Sequence, residues 1–336
     1  MGVGRGLIRV RIRGIAATVP SKIVFDEGYT IVQASQIIQD RLGIEFDPLP
    51  ADVTIKGSDS DELLALGSYG KADKVYEELV DTLKHVFKWV SPLGLYSLHT
   101  GRVLERSNER CIVELLGGYR GYLDKCNAEP GRIIPVSVIR PRLKPFEEFR
   151  LSREIRIVGE YASLIYGSSR ITLSEHIRDQ SRREYLLALA ATKLIGSGLG
   201  IHFRSSSRFG SDDVILEEID SLRKKLGELV SEAKNTTEVK TLYPGEFIGS
   251  ISLTRLAKNV LDHYRSLVSP TVRLHHSYKT YGGCLSDLVD YSEKLIGDGF
   301  DRERFLLVYG VMSMNRLNVD PLSTYYTLGP MGEDLD

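Results

Sequence analysis

Arginine alternates with apolar residues near the start of the chain, in Arg9-Val-Arg11-Ile-Arg13. A strand sends every second side chain to one face. Arg9, Arg11 and Arg13 would then present three guanidiniums together, a charge pattern suited to phosphate oxygens. A second basic group, Arg102, Arg120, Arg140, Arg142 and Lys144, is interleaved with Tyr96, Tyr119, Tyr122, Phe146 and Phe149. A basic track for phosphates and aromatic faces for bases are what sequence-tolerant binding of single-stranded RNA requires. Taken one at a time, such aromatics are as often core as platform, and such arginines are often solvated surface. The two types crowded into one stretch favour nucleic-acid binding.

The segment His275-His276-Ser-Tyr278-Lys279 carries the side chains for another chemistry. Two imidazoles and an ammonium can move protons while a 2′-hydroxyl attacks a phosphodiester without a metal. Placed on a strand, adjacent histidines would point to opposite faces. One would then be packed and the other left for solvent or phosphate. His275, His276 and Lys279 are thus candidates for catalysis, and no assignment of catalytic residues follows. Asp52, Asp59 and Asp61, in DVTIKGSDSDE, offer oxygen ligands of the kind Mg²⁺ takes, or else form a solvated turn. Cys111, Cys126 and Cys284 are scattered, with no Cys-x-x-Cys pair. They read as small buried hydrophobes in a reducing compartment, with zinc excluded.

A length of 336 residues suggests two or three domains. With 42% hydrophobic residues the chain can build real cores, and the net charge of -1 means that any nucleic-acid footprint must come from local clustering. The longest apolar runs, such as LLALAATKLI, are too short to span a bilayer, and the first residues lack a signal-peptide core. No membrane association is expected, and a cytoplasmic location follows.

These residues need a scaffold. Strand 8–12 opens a small α/β unit over 1–90, with helices expected over 30–42 and 71–87. From 91 to 165 short β runs alternate with Gly, Asn and Pro signals: LYSLHTGRVLER, RCIVELL, RGYLD, RIIPVSVIRP and RLSREIRIVG. Five such strands describe a compact barrel, and the OB-fold is the commonest five-stranded solution. From 166 to 300 helices return: an amphipathic one over 174–195, and a clearer one over 211–234. Ser211 would cap the second, with Asp212 and Asp213 at its positive end. A strand near 246–253, a helix from about Thr254 and a helix near 284–296 follow, and 301–336 is expected to form a loosely structured tail. The fold class is therefore α/β multidomain, with an N-terminal α/β unit, a central five-stranded OB barrel and a C-terminal α/β region.

The stretch TGRVLERSNERCIVELLGGYRGYLD, with GRIIPVSVIRP and LSREIRIVGEYASLIYG after it, resembles the OB domain of ribonucleases E and G. GLGIHFRSSSRFGSDDVILEEIDSLRKKL is similar to the 5′-end-sensing segment of that family, and the region after it to a degenerate ribonuclease-H-like part. Together with GYTIVQASQII, PADVTIKGSDSD and PTVRLHHSYKTYG, the chain resembles the archaeal AU-rich-RNA-binding proteins. That resemblance implies an endoribonuclease, a phosphodiester hydrolase acting in ribosomal RNA precursor maturation or turnover. The implied partner is precursor ribosomal RNA with AU-rich loops.

Residue by residue, the resemblance places Tyr122 at an RNA-stacking position and Ile112 where a second stacking aromatic is expected. It puts Lys144 near a basic barrel position, and Arg204 with Ser205 where Arg-Thr contacts a 5′-monophosphate. A guanidinium can grip phosphate bidentately, and a hydroxyl near a helix N-terminus can complete the pocket. Glu175 and His176 stand where the family has further arginines. The aspartate pair that holds Mg²⁺ in ribonucleases E and G is not found in this sequence, so Mg²⁺ is implied only if the chain cleaves. A non-catalytic RNA-binding or chaperone protein lacking a nuclease centre remains the alternative.

Overall fold

The structure is a computed structural model, and it describes residues 8–14, 17–58, 61–281 and 283–299. The tail expected over 301–336 lies outside them.

The first sheet grows from β1 (Arg9–Arg13), which pairs in parallel with β2 (Thr30–Ile31) on one side and β3 (Val53–Gly57) on the other. β3 pairs antiparallel with β4 (Glu62–Gly67). Val10 and Ile12 of β1 enter a core shared with α1 (Thr18–Asp26), α2 (Gln36–Leu42) and α3 (Ala72–Leu83). The odd positions, Arg9, Arg11 and Arg13, take the other face, as alternation requires. The helix expected over 30–42 is split. Ile31 pairs with Val10, Gln33 turns into the left-handed region at φ 52°, and only the part after Ser35 is helical. The helix expected over 71–87 also stops early. Lys84 and His85 both take positive φ, and β5 (Val86–Val90) leaves as an extended strand.

The second sheet is the barrel. β6 (Leu98–Ser107), β7 (Arg110–Glu114), β8 (Arg120–Asp124), β9 (Ile133–Arg140) and β10 (Phe149–Ser152) close because β6 pairs with both β7 and β9. β8 and β10 run parallel, and the other barrel pairings are antiparallel. This is a closed, OB-like five-stranded barrel. β6 serves both neighbours by bending at a register shift between Val103 and Glu105. Gly101 lies just before the bend. A Cβ there would meet Val113 Cγ1 at 2.5 Å and the Glu114 carbonyl at 2.9 Å, so no larger residue fits. Val113, Leu123, Val136, Val138, Phe149 and Leu151 fill the interior. Phe149 is therefore core, not a stacking face.

Cys111 on β7 and Cys126, two residues past the end of neighbouring β8, are joined by a disulfide, which corrects the reading of both as free thiols. Spacing alone gave no sign of it, because the two approach through the β7–β8 pairing.

β11 (Ile155–Val158), β12 (Ala162–Tyr166), β13 (Ile171–Leu173) and β14 (Leu199–Phe203) form a four-stranded sheet covered by α4 (Gln180–Leu194) and α5 (Asp212–Asn235). β15 (Lys240–Tyr243) then adds to β6 of the barrel. β16 (Phe247–Leu253) inserts into the first sheet between β4 and β5. Three more helices, α6 (Arg255–Ser266), α7 (His275–Tyr281) and α8 (Gly283–Gly297), complete a mixed α/β chain with eight α-helices among the described residues. None of these is long and apolar enough to cross a membrane.

Candidate nucleic-acid interface

Two basic surfaces emerge. The first lies where the arginine face of β1 meets the turn after β14. Arg11 donates from Nη1 to the Ser205 hydroxyl and from Nη2 to Thr54 Oγ1 at 3.0 Å. Arg13 donates to the Gln33 carbonyl at 2.9 Å. The turn itself is fixed at several points. The Ser206 and Ser207 hydroxyls donate to the carbonyls of Glu160 and Tyr161, and Arg182 donates to the carbonyls of Ser207 and Gly210 while pairing with Asp212 at 2.8 Å. So held, the turn presents Arg208 and Phe209 beside Arg13, Gln33, Phe46 and His176 around a pocket of about 310 Å³. Phe46 and Phe209 meet edge to face with centroids 5.4 Å apart and close one wall.

The charge in this region is unbalanced. Arg11 hydrogen-bonds to Gln33, Ser205 and Thr54, none of them a carboxylate, and its Nε is buried without a partner among the described residues. Burial, with Arg204 and Arg13 nearby, pulls its guanidinium down to about 10. Burial also pushes the Glu246 carboxyl up although Arg204, Arg11 and Arg156 face it, which weakens the carboxylate that faces Arg11. His176 is held below its ordinary value by partial burial and by Arg13, Arg11 and Arg178. Cations that outnumber the carboxylates facing them leave a demand for negative charge, and a phosphate group would supply it.

The residues named from the sequence divide unevenly here. Ser205 is buried under Arg11, and Arg204 turns its Nη1 to the Gly159 carbonyl; neither is exposed at the mouth, though Ser205 touches the pocket. Arg9 is neutralised by Asp52 at 3.3 Å and Glu160 at 2.8 Å. Arg13 stands at the pocket itself. Arg208, Gln33, Phe46 and Phe209 were missed. Their separation in sequence hides the convergence, and Arg208 lies in the quoted FRSSSRFG segment without a spacing signal of its own.

The second surface is the outer face of β7, β8 and β10. Tyr122 is half-buried there, opposite Ile112 on β7 and Arg150 on β10. The Arg110 guanidinium sits 4.9 Å from its ring centroid. Arg120 is exposed on the same face, while Arg110 and Arg150 share Asp124 at 2.9 and 3.2 Å. Period-two alternation in RCIVE and RGYLD would have added Arg110 to the site; it needed only the pairing register. Arg140 is exposed on β9 opposite Arg150, in line with Tyr122, and Lys144 is exposed in the segment between β9 and β10. Arg142 is partly buried against Trp89 and Phe149, at 6.0 and 5.7 Å from their centroids.

The candidates for chemistry also move. His275 and His276 open a short helix, not a strand, so their rings do not diverge; the centroids are 4.7 Å apart. Each Nδ1 meets a carboxylate at 2.7 Å, Glu293 for His275 and Asp262 for His276. Lys279 pairs with Asp290 at 2.6 Å. The aspartates that could hold Mg²⁺ do not fit that role. Asp52 is taken by Arg9 and Lys71 and Asp61 by Lys258, while Asp59 lies outside the described residues. Among the described residues no three His, Cys, Asp or Glu side chains converge as a metal site.

No family model matches the chain. Whole-chain comparison does find relatives, each named "Probable ribonuclease FAU-1". One from Staphylothermus marinus is 49% identical over 334 residues, covering 96% of this chain and 69% of the relative. One from Hyperthermus butylicus is 36% identical, over 97% of this chain and 71% of its own. One from Caldivirga maquilingensis is 30% identical, over 96% and 69%. At these identities and coverages the chain belongs to the archaeal family whose members carry the name "Probable ribonuclease FAU-1".

Proposed function

We propose that this chain binds single-stranded or looped, AU-rich RNA and acts as an endoribonuclease in the maturation or turnover of ribosomal RNA precursors. The observation that carries the RNA reading is the uncompensated arginine pocket between β1 and the turn after β14, with Arg13 and Arg208 at its wall. The barrel face supports it, because Tyr122 under Arg110 offers a guanidinium–aromatic stack on which a base can lie. Single strands suit both, since their bases are unstacked and their phosphates reachable. The name borne by the relatives supports cleavage. A non-catalytic RNA chaperone is the second reading, favoured by the pairing of Asp52 and Asp61 with cations.

The direct test titrates a fluorescent, unstructured AU-rich oligoribonucleotide against wild type and Tyr122→Ala. The variant should bind about 2 kcal/mol more weakly, or about thirtyfold, as expected for one lost stack. Tyr122 is on the barrel exterior, so folding should be unchanged by circular dichroism. For the wild type, the logarithm of affinity should fall steeply with the logarithm of salt despite the net charge of -1. Wild-type affinity in the variant would remove the barrel face from the interface.

A further inference from the structure

Five helices meet at a small polar pocket on the far side of the first sheet's core. α7 contributes His275, His276 and Lys279, α6 contributes Arg265, α2 contributes Arg41, α1 contributes Thr18, and α8 contributes Asp290, the partner of Lys279, around about 170 Å³. That volume is too small for a drug-sized ligand and suits one phosphodiester group. Both imidazoles are oriented alike. Nδ1 of each is bound to a carboxylate at 2.7 Å, and neither Nε2 has a hydrogen-bond partner among the described residues. A carboxylate on Nδ1 fixes the tautomer and aims the other nitrogen, as an orienting acid does in general-base catalysis.

The carboxylates differ. Glu293 is shared by His275 and by Arg265 at 2.5 Å; against the upward pull of burial, the His275 bond and both positive charges hold it ionised below the usual range. Asp262 serves His276 through the side chain and also accepts its backbone N–H at 3.0 Å. Just before the pair, buried Leu274 takes φ 61°, a left-handed conformation that a branched aliphatic residue rarely adopts. Two carboxylate-oriented histidines, side by side and preceded by a strained residue, are more than a helix junction requires for packing.

We propose that His275 and His276 form a metal-independent centre that cleaves RNA by transphosphorylation, with the 2′-hydroxyl of the substrate as nucleophile. This rests on the ribonuclease reading above and gives it a mechanism. His276 Nε2 takes the proton from the 2′-hydroxyl. The 2′-oxygen forms a bond to phosphorus as the bond from phosphorus to the 5′-oxygen breaks. His275, held through Nδ1 by Glu293, gives its Nε2 proton to that leaving oxygen. The products are a 2′,3′-cyclic phosphate and a 5′-hydroxyl; nothing is oxidised, and no co-reactant is needed. Lys279 and Arg41 stand at the pocket wall to neutralise the non-bridging oxygens. Burial, with His275 and Arg265 alongside, keeps the His276 imidazole below its ordinary value in spite of Asp262, so its neutral form is available as the base.

The experiment incubates the full chain with an end-labelled, single-stranded AU-rich oligoribonucleotide in excess EDTA, beside the same oligomer carrying 2′-O-methyl groups throughout. Wild type should cut the first, leaving 5′-hydroxyl ends that a polynucleotide kinase labels directly, and leave the second intact. His276→Gln should cut at least about a hundredfold more slowly, the scale of one proton-transfer group, with RNA affinity and melting temperature retained. That variant, purified in parallel, also controls for contaminating nuclease. The 2′-O-methyl arm needs no variant to fold. Products with 5′-phosphate ends, cleavage of the 2′-O-methyl oligomer, or wild-type rates in His276→Gln would overturn this centre and leave the ribonuclease reading standing. No cleavage with or without Mg²⁺ by protein that binds the RNA would overturn both.

Discussion

Lowering the pH from about 6.5 to 4 should cost the fold about 3 kcal/mol through His99 alone. His99 lies on β6 at 1% exposure, bonded to Ser97 Oγ at 2.8 Å and to Thr241 Oγ1 on β15 at 3.0 Å. Both partners are neutral hydroxyls, so nothing compensates a buried imidazolium, and burial pulls the ring down to about 4. An unfolded chain would take up a proton near 6.5, before the folded one does. Stability is therefore complete above about 6.5 and is lost as the pH falls towards 4. Urea unfolding of wild type and His99→Gln at pH 7 and at pH 4 isolates this group from the carboxylates that titrate in the same range. The stability difference between the two proteins should shift by about 3 kcal/mol in favour of the variant at the lower pH. A shift near zero would mean that His99 is solvated or finds a charged partner. The consequence reaches function because His99 fastens β15 to the barrel, and β15 leads directly to Glu246 and β16 beside the arginine pocket.

Much of this architecture was legible because it is written locally. Gly, Asn and Pro punctuation marked the barrel strands, and alternation in RCIVELL gave the core face that Val113 and Leu115 occupy. Asp212 and Asp213, with an apolar stripe behind them, placed α5 within a residue. What failed depended on partners distant in sequence. β16 reads as an ordinary strand, yet its place between β4 and β5 is decided by residues about 160–190 positions earlier. His275 and His276 were placed on a strand because the local pattern is ambiguous over so few residues; the contacts of α7 with α6 and α8 decide for helix. α1 was missed because TVPSKIVFD is short and carries a proline near its start. The site followed the same division. Tyr122 could be named from its own strand, but Arg110 needed the β7–β8 register, and Arg208 needed the turn that Arg182, Ser206 and Ser207 hold in place. Arg9 shows the opposite error. It has the right residue type and the right face, but Asp52 and Glu160 already neutralise it, which no count of arginines could reveal.

Substituting Arg13 and Arg208 together by alanine should weaken binding of 5′-monophosphorylated RNA by about 3 kcal/mol, or about a hundredfold, and hardly change binding of the 5′-hydroxyl form. Both side chains line the pocket, and each charge-assisted bond to a phosphate contributes about 1.5–3 kcal/mol. The lower end applies because Arg208 is exposed and salt screens it. A terminal monophosphate carries more charge than an internal phosphodiester, so an arginine cluster whose innermost member, Arg11, meets only neutral hydrogen-bond partners should prefer the terminus. Arg208→Lys should recover part of the affinity through its charge but not the bidentate geometry. Stability gives an independent check. Removing cations from a cluster that already repels itself should leave the unfolding free energy within about 1 kcal/mol of wild type, since Arg13 gives up one bond to the Gln33 carbonyl while Arg11 loses a like-charged neighbour. If wild type bound the two RNAs equally, the pocket would not read the 5′ end, and the same arginines would have to hold an internal phosphate of a loop. Two RNAs of one sequence, differing only in that terminal group, separate these outcomes in a single titration at about 0.1 M salt, where the Debye length of about 10 Å still lets the pocket act on a phosphate within it.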